Sequence, residues 1–128
     1  MPHYTPKPKP TTLRNIDPRA RALPASVRPY KRLGLERLEL VERDERSAVY
    51  LATPANGGRP YYEGFLRVAK PEIVKRDDGT IDLDQERLVE RYPRDEEFGA
   101  RAWTRSDLRA LRDKLAAEVE KRAIERVS

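Results

Sequence analysis

Eight cations gathered in one short stretch are the side chains of this sequence best suited to chemistry: Lys7, Lys9, Arg14, Arg19, Arg21, Arg28, Lys31 and Arg32. The first 32 residues hold a single acid, Asp17, so the stretch carries +7 and leaves −2 on the remainder of a chain whose net charge is +5. Ammonium and guanidinium groups on an extended backbone neutralise phosphates without fixed geometry, and each neutralised phosphate releases counterions. The chemistry implied is non-covalent capture of a polyanion, DNA or RNA or a nucleoprotein assembly. If about six of these cations engage, log affinity falls with log salt at a slope of roughly five. The plainer alternative is an arm that stays solvated, or that straps along the acidic remainder of its own chain.

A second constellation is acidic. Asp77-Asp78-Gly79-Thr80-Ile81-Asp82-Leu83-Asp84-Gln85-Glu86 contains a phrase like the middle of an EF-hand loop. Aligning Gly79 with that loop's glycine puts Val74, Arg76 and Gln85 at its first, third and last ligand positions, which removes the principal carboxylates. The stretch therefore reads as a solvated turn and no metal is expected, nor is a two-metal site built from Asp82, Asp84, Glu86 and Glu90. As a surface, Asp82, Asp84, Glu86 and Asp95 suit a partner protein, for instance by competing for a nucleic-acid-binding groove.

Catalytic apparatus is hard to assemble from the rest. The one histidine, His3, sits in the basic arm away from any fixed base or nucleophile, and there is no cysteine. Asn56-Gly57-Gly58 lacks the spacing of a phosphate-binding loop and reads as hairpin chemistry. No enzyme activity and no cofactor are expected. Tyr50, Tyr61, Tyr62 and Phe65 would add a base-stacking surface if one sheet face were open, or core if it were not.

The elements that must hold these groups divide at residue 32. Seven of the eleven prolines fall before it, and Pro6-Lys7-Pro8-Lys9-Pro10 favours extended polyproline II. Residues 1–32 read as a basic extended arm, with a short helix expected from Asp17 to Leu23 because Pro18 suits a first helical position. Residues 33–128 read as one small α+β domain, a three- to four-stranded antiparallel sheet packed by one long C-terminal helix. Leu35 onward, Ala48–Thr53 and Tyr61–Ala69 alternate as strands of a meander, broken at Asp44–Ser47 and Pro54–Gly58. Ile73-Val74 turning at Asp78-Gly79 is read as a further hairpin or loop that runs into a short helix after Asp84. Thr104 and Asp107 resemble a capping box before Leu108, Leu111, Leu115, Val119 and Ala123, a stripe at helical spacing. Phe98 and Trp103 are expected at that helix's entry. Met1-Pro2-His3-Tyr4 carries no apolar signal region and no run is long enough to span a bilayer, so a cytoplasmic setting without membrane contact is expected.

Tyr92-Pro93-Arg94-Asp95-Glu96-Glu97-Phe98-Gly99-Ala100-Arg101-Ala102-Trp103, preceded by Tyr62-Glu63-Gly64-Phe65, resembles a group of small uncharacterised proteins of phages, plasmids and other mobile elements. These carry a Tyr-Pro-x-x-Glu-x-Phe-Gly-x-x-Ala-Trp box before a terminal helix. The resemblance covers about Tyr61 to Val119, leaves the arm out and implies no activity; it implies a bacterial host cell as setting. The strand-strand-strand-helix order is also similar to that of plant AP2 and phage integrase arm-binding domains, by topology alone. The expectation is a binding protein whose arm contacts nucleic acid. The alternatives are an anti-defence inhibitor acting through its acidic surface on a host protein, and a phage structural component whose arm binds neighbouring subunits.

Overall fold

Apolar residues alternate with polar ones from Leu35, and the pattern produces two long strands, β2 (Leu35–Arg43) and β3 (Ser47–Pro54), joined at Asp44. The Asp44 carboxylate accepts hydrogen bonds from the Arg46 and Ser47 N–H groups at 2.7 and 2.9 Å, which fixes the reversal. The next reversal uses Gly57 at φ 79° and the Asn56 side chain, which accepts from the Gly58 N–H at 2.9 Å, and delivers β4 (Tyr61–Leu66). Two short strands complete an antiparallel sheet of order β1-β2-β3-β4-β7: β1 (Ser26–Val27) and β7 (Ala102–Arg105). A separate two-stranded ribbon pairs β5 (Ala69–Lys75) with β6 (Ile81–Glu90). Helix α1 (Leu108–Val127) closes the chain. The computed structural model describes residues 15–29 and 34–127. Their architecture is α+β, a mostly antiparallel sheet packed against one C-terminal helix.

Both faces of the sheet are covered. On one, Val49 and Trp103 are buried under Leu111 and Leu115 of α1, with Tyr62, Leu66 and Leu108 alongside. The helix approaches so closely at Gly64 that a Cβ there would lie 2.9 Å from both Leu111 and Leu115, so glycine is the residue the contact tolerates. On the other face Leu38, Tyr50, Phe65 and Ala102 are buried beneath Leu23 and Val27 from the N-terminal segment and Tyr92 and Phe98 from the segment after β6. Tyr50 stacks on Phe65 at 5.9 Å, and Tyr92 stands edge-on to Phe65 at 5.0 Å. Burying aromatic rings this way stabilises the face by contact area and by favourable ring geometry.

The meander, the ribbon hairpin and the terminal helix follow the sequence pattern, except that the strand expected over Tyr61–Ala69 ends at Leu66 and Ala69 opens the ribbon; four further local expectations do not hold. Asp17 to Leu23 is a turn followed by extended chain, because Pro24 disfavours a helical Leu23 and the Arg21 main chain bonds to Leu88 and Glu90 of β6. No helix follows Asp84: β6 continues to Glu90, since Leu88, Val89 and Glu90 pair with Pro71, Lys70 and Ala69. Thr104 lies within β7, and Asp107 alone caps α1, its carboxylate accepting from the Ala110 N–H at 3.1 Å. Trp103 sits at the helix entry as expected, whereas Phe98 packs on the opposite face.

Candidate interaction surfaces

Residues 15–29 form a strap along the body. At its start the Ile16 N–H donates to the Glu45 carbonyl at 2.7 Å, and the Arg46 guanidinium donates to the Asn15 side chain at 3.1 Å, both at the β2–β3 turn. The Asp17 carboxylate accepts from the Arg19 N–H at 2.9 Å and closes a turn at Pro18. Arg21 then adds to the outer edge of β6: its N–H donates to the Leu88 carbonyl and its carbonyl accepts from the Glu90 N–H, each at 2.9 Å. Beyond it, β1 pairs with β2.

A buried charge pair locks this strap to the body. Glu90 accepts two hydrogen bonds from the Arg67 guanidinium, at 2.9 and 2.8 Å, and a third from the Leu23 N–H at 3.1 Å. The two side chains are 1% and 9% exposed, so the bidentate geometry and the extra N–H must compensate their loss of water. The hydrogen bond to Glu90 holds the Arg67 guanidinium above its usual range. Arg67 also donates to the Asp44 carbonyl at 2.7 Å, tying in the β2–β3 turn. Nearby, the Tyr50 hydroxyl donates to the Pro24 carbonyl at 2.8 Å; burial, and then the Glu90 charge, push its phenol up.

The expected cations separate into two sets. Lys7, Lys9, Arg14, Lys31 and Arg32 lie outside the described residues, as does His3. Arg19, Arg21 and Arg28 are exposed on the strap. Arg19 pairs with Asp17 at 2.9 Å and Arg21 reaches Glu72 at 3.5 Å. A cleft of about 450 Å³ beside the strap's root is lined by Arg43, Arg46 and Arg112 together with Glu42 and Asp44, over Leu115 and Val119. The Arg112 guanidinium there is bidentate to Glu42 at 2.7 and 2.9 Å, which lowers the Glu42 carboxyl.

The expected acids divide as well. Asp82, Asp84 and Glu86 lie on β6 of the ribbon, while Asp95 belongs to a 3₁₀ turn (Asp95–Glu97) on a different element. Asp82 pairs with Arg76 across the ribbon and Asp84 with Arg87 at 3.6 Å. The Asp78 carboxylate accepts from both the N–H and the hydroxyl of Thr80, which makes it a turn-former, with Gly79 at φ 86° beside it. Among the described residues no group of three or more His, Asp or Glu is placed to hold a metal ion, and no helix is long and apolar enough to cross a membrane.

The stacking surface considered for Tyr50, Tyr61, Tyr62 and Phe65 is closed. Tyr50 and Phe65 are fully buried and Tyr61 and Tyr62 are half-buried, because the strap and α1 cover the two faces. The two phrases behind the mobile-element resemblance meet in space: the Tyr92 hydroxyl donates to the buried Glu63 carboxylate at 2.8 Å, and Gly64 pairs with Trp103 across β4 and β7. Arg101 stands over the Phe65 ring at 5.8 Å and donates to the Leu66 carbonyl at 2.6 Å. These residues build the core around β4.

Two features escaped the sequence pattern: the Arg67–Glu90 pair, and the apolar residues Ile73, Ile81 and Leu83 left exposed on the ribbon. For the second a signal existed, because Ile81-Asp82-Leu83-Asp84 alternates with period two and no apolar partner segment follows it.

No known protein family, curated protein or solved structure matches this chain.

Proposed function

We propose that this chain is a non-enzymatic binding protein that captures nucleic acid, or a nucleoprotein assembly, with the cations of its first 32 residues. The setting proposed with it is the cytoplasm of a bacterial host, in the service of a phage or other mobile element, as the Tyr92 to Trp103 box suggests. The observation that carries this proposal is the segregation of charge, +7 on residues 1–32 against −2 on the rest. The strap supports it. Lys7, Lys9 and Arg14 lead into Asn15, which is bonded to Arg46 at the β2–β3 turn, so these cations are delivered from one fixed root. Arg43 and Arg46 line the cleft beside that root. Arg28 adds exposed charge along the strap.

The test is fluorescence anisotropy at low salt with labelled duplex DNA, single-stranded DNA and RNA. The comparison protein replaces Lys7, Lys9 and Arg14 with Gln, which removes three phosphate-neutralising groups without touching the described body. The unaltered chain binds at least one of the three probes, and the triple variant binds it about tenfold or more weakly. Equal binding by both proteins, or no binding to any probe, contradicts the proposal.

A further inference from the structure

We propose that the open edge of β6, from Ile81 to Asp84, is a docking strand for an extended segment of a partner protein in which Lys or Arg alternates with apolar residues. Among the described residues, β6 pairs with β5 along one edge and, along the other, only with Arg21 at Val89. On the distal part of that edge the N–H groups are met locally: Leu83 donates to its neighbour Asp82 at 2.8 Å and Glu86 to Asp84 at 3.0 Å. A strand edge without a neighbouring strand accepts another chain by main-chain hydrogen bonds. The β5 edge suits this less, because Pro71 in its middle has no N–H to offer.

The two faces of the ribbon define the partner's chemistry. Cross-strand register sets Ile73 opposite Leu83 and Lys75 opposite Ile81 on one face, and Glu72 opposite Asp84 and Val74 opposite Asp82 on the other. Ile73, Ile81 and Leu83 are 56%, 71% and 49% exposed, so the apolar face is uncovered. A two-stranded ribbon whose distal apolar side chains are this exposed is marginal in water, and a third strand relieves this. Side chains of a strand added at the β6 edge fall alternately beside Ile81 and Leu83 and beside Asp82 and Asp84. Apolar residues complement the first set, and cations complement the second in competition with Arg76 and Arg87, which pair with Asp82 and Asp84 across and along the ribbon.

The chain already makes one such contact within itself. Arg21 takes up the Leu88 carbonyl and the Glu90 N–H of the same edge, while its guanidinium reaches Glu72 on the acidic face.

The experiment titrates the full chain with a labelled octapeptide alternating Lys and Val, and with one alternating Glu and Val, and follows amide exchange of the protein. The Lys-Val peptide binds at least tenfold more tightly than the Glu-Val peptide and slows exchange of the Leu83 amide. Reversing Asp82 and Asp84 together to Lys inverts the preference, and the milder Asp82→Asn, Asp84→Asn pair removes it while leaving the circular dichroism spectrum unchanged. No binding, equal binding of the two peptides, an unaltered preference in both variants, or binding without slower exchange at Leu83 overturns the proposal.

Discussion

Glu90 shows how far a single carboxylate can organise this molecule. It holds the Arg67 guanidinium and the Leu23 N–H, and so joins β6, the segment after β4 and the strap at one buried point. Taking away one member of such a pair strands the other charge out of water, so Glu90→Ala costs about 3–5 kcal/mol, read as a lower urea midpoint. The surface pair Glu42–Arg112 behaves differently, its side chains being 39% and 54% exposed. Because the Arg112 hydrogen bonds depress the Glu42 carboxyl in the folded state, the pair contributes stability at neutral pH and loses it as pH falls below the ordinary carboxylate value through the depressed one. The stability difference between the unaltered chain and Glu42→Gln is accordingly small at pH 7 and shrinks in urea titrations as pH is lowered below the ordinary carboxylate range; a difference that grows on acidification contradicts this assignment. Neither pair was legible in the sequence. Glu90 reads there as one more acid in a charged run, and only the approach of Leu23 and Arg67 from distant positions takes it out of water.

At the scale of elements, the strap changes what counts as the body. The sequence suggests a boundary at residue 32, yet β1, the Pro24 carbonyl that satisfies Tyr50 and the Leu23 N–H that serves Glu90 all come from residues before it. A protein beginning at Leu33 loses these partners along with the burial of Leu23 and Val27, whereas one beginning at Asn15 keeps them. The first therefore unfolds several kcal/mol more readily than the full chain and the second about as the full chain does, a comparison that chemical denaturation settles. Matching midpoints for the full chain and the Leu33 start would show that the strap carries no stability. Turns and local periodicities were legible because their causes are local: Asp44, Asn56, Gly57, Asp78 and Gly79 shape their own reversals. The helix expected after Asp84 failed for the opposite reason. Its residues are claimed by β5 on one side and, near the base, by Arg21 on the other, and long-range pairing of that kind leaves little trace in a single window of sequence.

For the whole molecule, the body is a sheet covered on both faces, and the two proposals made for it concern opposite charges: a polyanion for the cations of residues 1–32, and a basic polypeptide for the ribbon edge. Salt dependence is the sharpest probe of polyanion capture by the arm. The affinity of the full chain and of a protein beginning at Asn15 for the same labelled nucleic acid is measured from low to physiological salt. If Lys7, Lys9 and Arg14 each neutralise a phosphate, the plot of log affinity against log salt is steep for the full chain, with a slope of about five, and shallower by roughly two to three units for the Asn15 start. Identical slopes for the two proteins would contradict the claim that the arm is what touches the polyanion.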